Sequence, residues 1–119
     1  MKRMIFFSKS KLAANLLQFL FHESAIECLC IQDQKDIKTK LFSQKKLLIV
    51  FDDSFLTKTN SETIAWLANT KFDPSQKIIF LTSATNSQTP PFAVNEIIHK
   101  PFLADDFVKR IKNHFGSKE

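Results

Sequence analysis

The chain contains no tyrosine and one glycine, Gly116. That scarcity removes whole classes of function. Neither G-x-G-x-x-G nor G-x-x-x-x-G-K-[ST] can be written, so glycine loops that bring backbone amides against a nucleotide's phosphates are excluded. Cysteine is nearly as scarce: Cys28 and Cys30 stand two apart in "IECLCIQD". A C-x-C with no second pair makes a poor zinc site, and on a strand both residues face the same way, as small buried hydrophobes. The three histidines, His22, His99 and His114, are dispersed with no metal-ligand spacing. No apolar run approaches the roughly 20 residues that span a bilayer. The apolar part of "MKRMIFFSKS" is too short for a signal-peptide core and reads as the first strand of a cytoplasmic protein. Arginine is rare too, with Arg3 and Arg110 the only two among 17 basic residues.

What remains is the composition of a folded domain. The chain has 119 residues, 44% of them hydrophobic and 24% charged, which suits one domain over 1–119 with one real core. The thirteen phenylalanines read as core filling. A formal charge of +5 invites a nucleic-acid reading. The lysines, however, are scattered from Lys2 to Lys118 and form no basic-aromatic module, so nucleic-acid binding is not expected of this domain alone.

Five short apolar runs read as strands: 3–7, 25–31, 46–53, 77–83 and 95–100. Between the first two, Ser10 caps a helix whose apolar face is expected to be Leu12, Leu16, Leu17, Leu20 and Phe21. The polar stretch 33–44 is a helix or partly a loop. Thr59 with Glu62 makes a capping box ahead of Ile64, Leu67 and Ala68, and Asp73-Pro74 ends that helix. Positions 84–94, with Pro90 and Pro91, predict a loop or one short turn. Phe107, Ile111 and Phe115 recur four apart in a final helix over 103–115, with Asp105 and Asp106 in its first turn.

Strand and helix therefore alternate, with a loop in place of the helix after the fourth strand. Strands that are continuously apolar suit a parallel sheet covered on both faces. In such sheets chemistry sits beyond the carboxyl ends of the strands. The residues there are Ser8 and Lys9, Gln32 and Asp33, Asp52 and Asp53, Thr82 and Ser83, and His99 and Lys100.

With an aspartate after the third strand, a hydroxyl after the fourth and a lysine before proline after the fifth, the sequence resembles bacterial response-regulator receiver domains. "LLIVFDD" is similar to the phosphoacceptor strand, "IIFLTS" to the strand ending in Thr or Ser, and "IIHKPFLADDFVKRI" to the Lys-Pro-Phe corner and last helix. The resemblance covers essentially the whole chain and implies a flavodoxin-like, five-stranded parallel sheet. It places Asp52 where the family accepts phosphate, Thr82 where a hydroxyl binds a phosphoryl oxygen, and Lys100 where an ammonium contacts the same group. It also implies a cis Lys100-Pro101 bond. A carboxylate attacking phosphorus needs a cation against oxygen–oxygen repulsion, which explains a lysine at a strand end. Asp52 is preferred to Asp53 because it puts apolar Phe55 three residues on and leaves Asp53 facing away.

The departures are equally informative. The family's Mg²⁺-binding acidic pair is replaced by Ser8 and Lys9, and Asp52 alone is a poor site for an ion that wants oxygen ligands. Lys9 is expected to pair with Asp52 and occupy the metal's place. "DSFLTKTN" lacks the family's proline and Asp-Gly, and the aromatic switch position is Ile97. The reading is an atypical receiver, not an enzyme beyond self-catalysed transfer to Asp52, with metal-dependent phosphorylation impaired and magnesium bound weakly or not at all. Its expected partner is a histidine kinase or another signalling protein, with a homodimer as a further option and no membrane association. The alternatives are a working phosphoacceptor fed by a histidine kinase and, further off, a flavodoxin-like nucleic-acid-binding module.

Overall fold

The computed structural model describes residues 2–22, 26–33, 35, 47–57, 61–70, 76–83, 93–100 and 102–115. Five strands form one sheet: β1 (Lys2–Phe7), β2 (Ile26–Ile31), β3 (Leu47–Asp52), β4 (Lys77–Ser83) and β5 (Glu96–Lys100). Their order is β2-β1-β3-β4-β5 and every neighbouring pair is parallel. Among the described residues four helices flank them: α1 (Lys11–Phe21), α2 (Asp53–Thr57), α3 (Ser61–Asn69) and α4 (Ala104–His114).

Alternate residues of β1, β3 and β4 fill two separate cores, which explains why those central runs are apolar without a break, whereas the edge strands β2 and β5 bury only Ile26, Ile31 and Ile98. Met4, Phe6, Leu48, Val50, Ile79, Leu81 and Ile98 point to one face, where Ala14, Leu17 and Phe21 of α1 and Phe107 and Ile111 of α4 cover them. Ile5, Phe7, Ile49, Phe51, Ile78 and Phe80 point to the other, beneath Phe55 of α2 and Leu67 of α3. On that second face the Phe7 and Phe51 rings stack at 4.8 Å.

The Ser10 cap forms as its residue type predicts, its side chain accepting a hydrogen bond from the Ala13 amide at 3.1 Å. The face of α1 forms only in part, with Leu17 and Phe21 buried and Leu20 packed against the core edge as expected. Its buried residues are Ala14, Leu17 and Phe21, while Leu12 and Leu16 are exposed. With apolar residues nearly all round, periodicity cannot choose a face, and the sheet took the one where small Ala14 permits close approach. In α3, Leu67 is buried as expected, but Trp66 rather than Ala68 joins Ile64 at the core edge. The start of "DSFLTKTN" is not a loop: Asp53 opens α2. The expected Thr59 cap, most of 33–44, Asp73-Pro74, the loop over 84–92 and the cis bond at Pro101 lie outside the described residues.

Candidate functional site

Parallel strands bring their carboxyl ends to one edge, so residues far apart in sequence meet there. In the ladders Asp52 stands opposite Leu81, and Ser83 stands opposite Lys100. Lys100 reaches from β5 across β4 to the end of β3. Its Nζ lies 2.6 Å from Asp52 Oδ1 and 2.8 Å from Asp53 Oδ1.

Asp52 is 3% exposed, and both its oxygens accept hydrogen bonds. Oδ1 takes the Lys100 ammonium; Oδ2 takes the Ser8 hydroxyl at 2.9 Å and the Ser54 hydroxyl at 2.6 Å. Ser8 Oγ is itself held in place, accepting from the Ser10 amide at 3.0 Å. Ser54 enters because α2 starts directly after the strand, which puts its side chain back over Asp52. Ser54 was not among the residues expected at this edge. Its signal was a serine two residues beyond the aspartate at a strand-to-helix junction.

Asp53 does not face away, contrary to the expectation. It is 5% exposed and accepts from Lys100 and, at 2.9 Å, from the Ser83 amide. As the first residue of α2 it is turned by the helix back toward β4. Burial pushes its carboxyl up, but the Lys100 hydrogen bond, the Ser83 amide and the Lys100 charge outweigh this and hold it below the usual range. Burial likewise pushes the Lys100 ammonium down, and its bonds to Asp52 and Asp53 more than reverse that.

Lys9 departs from expectation as well. Its ammonium lies over the Phe55 ring, 5.3 Å from the centroid, and among the described residues it forms no ion pair with Asp52. The reason is alternation: Ser8 is turned to the carboxylate, so the next residue is turned toward α2. Only the Lys9 backbone approaches the cluster, its amide donating to Ser54 Oγ at 3.4 Å. Thr82 is buried at the end of β4 and donates to the Ser83 carbonyl at 3.5 Å, opposite His99 in the ladder.

A magnesium ion would need several oxygen ligands free of competing donors. The end of β1 supplies a serine hydroxyl that already donates to Asp52, and the ammonium of Lys100 is shared by both carboxylates. Among the described residues no group of three or more His, Cys, Asp or Glu could hold a metal. Cys28 and Cys30 are free thiols, half-buried on the sheet face under α1, with Cys30 Sγ donating to the Ala14 carbonyl at 3.6 Å.

The sequence matches no family model and no curated protein. Its fold, by contrast, is similar to many solved structures. A CheY-like response regulator receiver domain protein from Methanospirillum hungatei is 15% identical, with a TM-score of 0.73 over 97% of this chain and 94% of that one. A response regulator receiver protein from Pseudoalteromonas atlantica is 16% identical, with a TM-score of 0.73 over 98% and 99% of the two chains. The signal receiver domain of an HD domain-containing protein from Pseudomonas fluorescens is 12% identical, with a TM-score of 0.74 over 96% and 86%. The fold is that of receiver domains.

Proposed function

We propose that this chain is an atypical receiver domain of the bacterial cytoplasm, a signalling module that acts by binding a protein partner and takes phosphate at Asp52 poorly. One observation carries the reading: the Ser8 hydroxyl, at the position where the resemblance would have a metal-binding acid, donates to Asp52 Oδ2. A nucleophile whose lone pairs are held by three donors must lose them before it attacks phosphorus. The partner is a histidine kinase or another signalling protein. Receivers joined to further modules occur among the structural neighbours, such as the one from the HD domain-containing protein, and a similar output would suit this chain. Catalysis of its own would be limited to the transfer onto Asp52. No helix among the described residues is long and apolar enough to cross a membrane.

The second reading, a working phosphoacceptor, is favoured by the direct contact of Lys100 with Asp52. Incubation with acetyl phosphate and magnesium, followed by intact-mass measurement, separates the two. In such a transfer an Asp52 oxygen bonds phosphorus as acetate leaves. The atypical reading expects the mass to stay unchanged. Rapid gain of one phosphoryl group, abolished by Asp52→Asn, would replace it with the second.

A further inference from the structure

Helix α1 has a second apolar face. Leu12, Leu16 and Phe19 recur at intervals of four and three, and they are 81%, 49% and 69% exposed. At 3.6 residues per turn they lie roughly 165° around the helix from Ala14, Leu17 and Phe21, which face the sheet. The polar side chains Lys11, Asn15, Gln18 and His22 form a single row along one flank. A helix apolar on nearly every other side is normally a buried one. We propose that this outer stripe is a homodimer interface, in which α1 of one copy packs antiparallel against α1 of a second across a two-fold axis at Leu16.

Two features select a second copy as the occupant. The first is self-complementarity. Leu16 sits near the middle of the stripe, so a two-fold axis there sets each Leu12 beside the partner copy's Phe19, as an isologous contact requires. The second is charge. Between Leu12 and Phe21 the helix carries no charged residue, so it offers nothing to a partner recognised through ion pairs. Its one charge is at the wrong end: Lys11 stands in the first turn, which has no acid, and the last turn has no base. A helix N-terminus is the positive end of its dipole and the C-terminus the negative end. Antiparallel pairing corrects both ends at once, because each Lys11 comes to the partner copy's carboxyl-terminal turn. An 11-residue helix offers less than the roughly 800 Å² per partner of a standard interface. The dimer is therefore weak and concentration-dependent. The inference is independent of the chemistry at Asp52.

Sedimentation velocity up to about 0.5 mM tests it. Wild type should shift from monomer to dimer with concentration, and Leu16→Asp should stay monomeric with an unchanged circular dichroism spectrum. Lys11→Glu should weaken the dimer about fivefold or more while raising the thermal midpoint of the monomer, because an acid suits the helix N-terminus. In a Cys28→Ser, Cys30→Ser background, Leu16→Cys should cross-link to itself under oxidation. Leu12→Cys should cross-link when mixed with Phe19→Cys and not with itself. A wild type that is monomeric throughout overturns the proposal, as does association that survives both Leu16→Asp and Lys11→Glu. Self-linking of Leu12→Cys would overturn the antiparallel arrangement.

Discussion

The ammonium of Lys100 lies 2.6 Å from a carboxylate oxygen of Asp52, a residue 48 positions earlier in the chain. The contact joins the end of β5 to the end of β3 across β4. Lys100 also serves Asp53, so one ammonium is shared by two buried carboxylates. Replacing it by methionine removes the ammonium that both acids share. Breaking such a partly buried cluster should cost about 2–4 kcal/mol. Urea denaturation of Lys100→Met should show this loss, and adding Asp52→Asn should recover a good part of it. A change within experimental error would mean that the carboxylates do not depend on Lys100.

The hydroxyl of Ser8 donates to Asp52 Oδ2, and a carboxylate at that position would add oxygen ligands beside it. Ser8→Asp together with Lys9→Asp should raise magnesium affinity by about tenfold or more, since oxygen ligand number and charge set affinity for hard cations. Titration calorimetry reads the gain directly. Asp52→Asn in that background should remove it, and acetyl phosphate should label the double variant faster than wild type.

Lys9 rests on Phe55 and not on Asp52. Lys9→Ala should therefore cost no more than about 1 kcal/mol, the scale of an exposed cation–π contact. It should leave magnesium binding where it was. A rise in magnesium affinity in this single variant would mean that the Lys9 charge acts on the carboxylate after all.

The charge cluster makes stability depend on pH at both extremes. Asp53 is held below its ordinary value of 3.8, so its contribution is complete above that value and is lost as pH falls through the lower folded one. Lys100 is held above its ordinary 10.5, so its contribution is complete below 10.5 and is lost as pH rises through the folded value. Urea midpoints measured from acid to alkaline pH should fall at both ends. Asp53→Asn should flatten the acid limb, and a variant whose acid limb is as steep as wild type would remove Asp53 as its cause.

Much of this molecule was written in local pattern. Three unbroken apolar runs, in β1, β3 and β4, flanked by two less apolar ones imply a parallel sheet covered twice, because a central strand of such a sheet is buried on both faces. Residues at strand ends then share one edge, which puts Asp52 and Lys100 among ten candidates there, and the resemblance to receiver domains implies the pairing of those two. Side-chain direction was a different matter. In α1 two apolar faces were equally good by period, and the sheet's shape chose Ala14, Leu17 and Phe21 over Leu12 and Leu16. At the end of β1, a one-residue alternation turned Ser8 to Asp52 and Lys9 to Phe55. After β3, the immediate start of α2 swung Asp53 back to Lys100 and laid Ser54 over Asp52. Composition and periodicity determine which elements form and which ends meet, since these follow from burial alone. The partner of each charged group was decided by the tertiary structure, because a turn of one residue redirects a side chain without changing any local pattern.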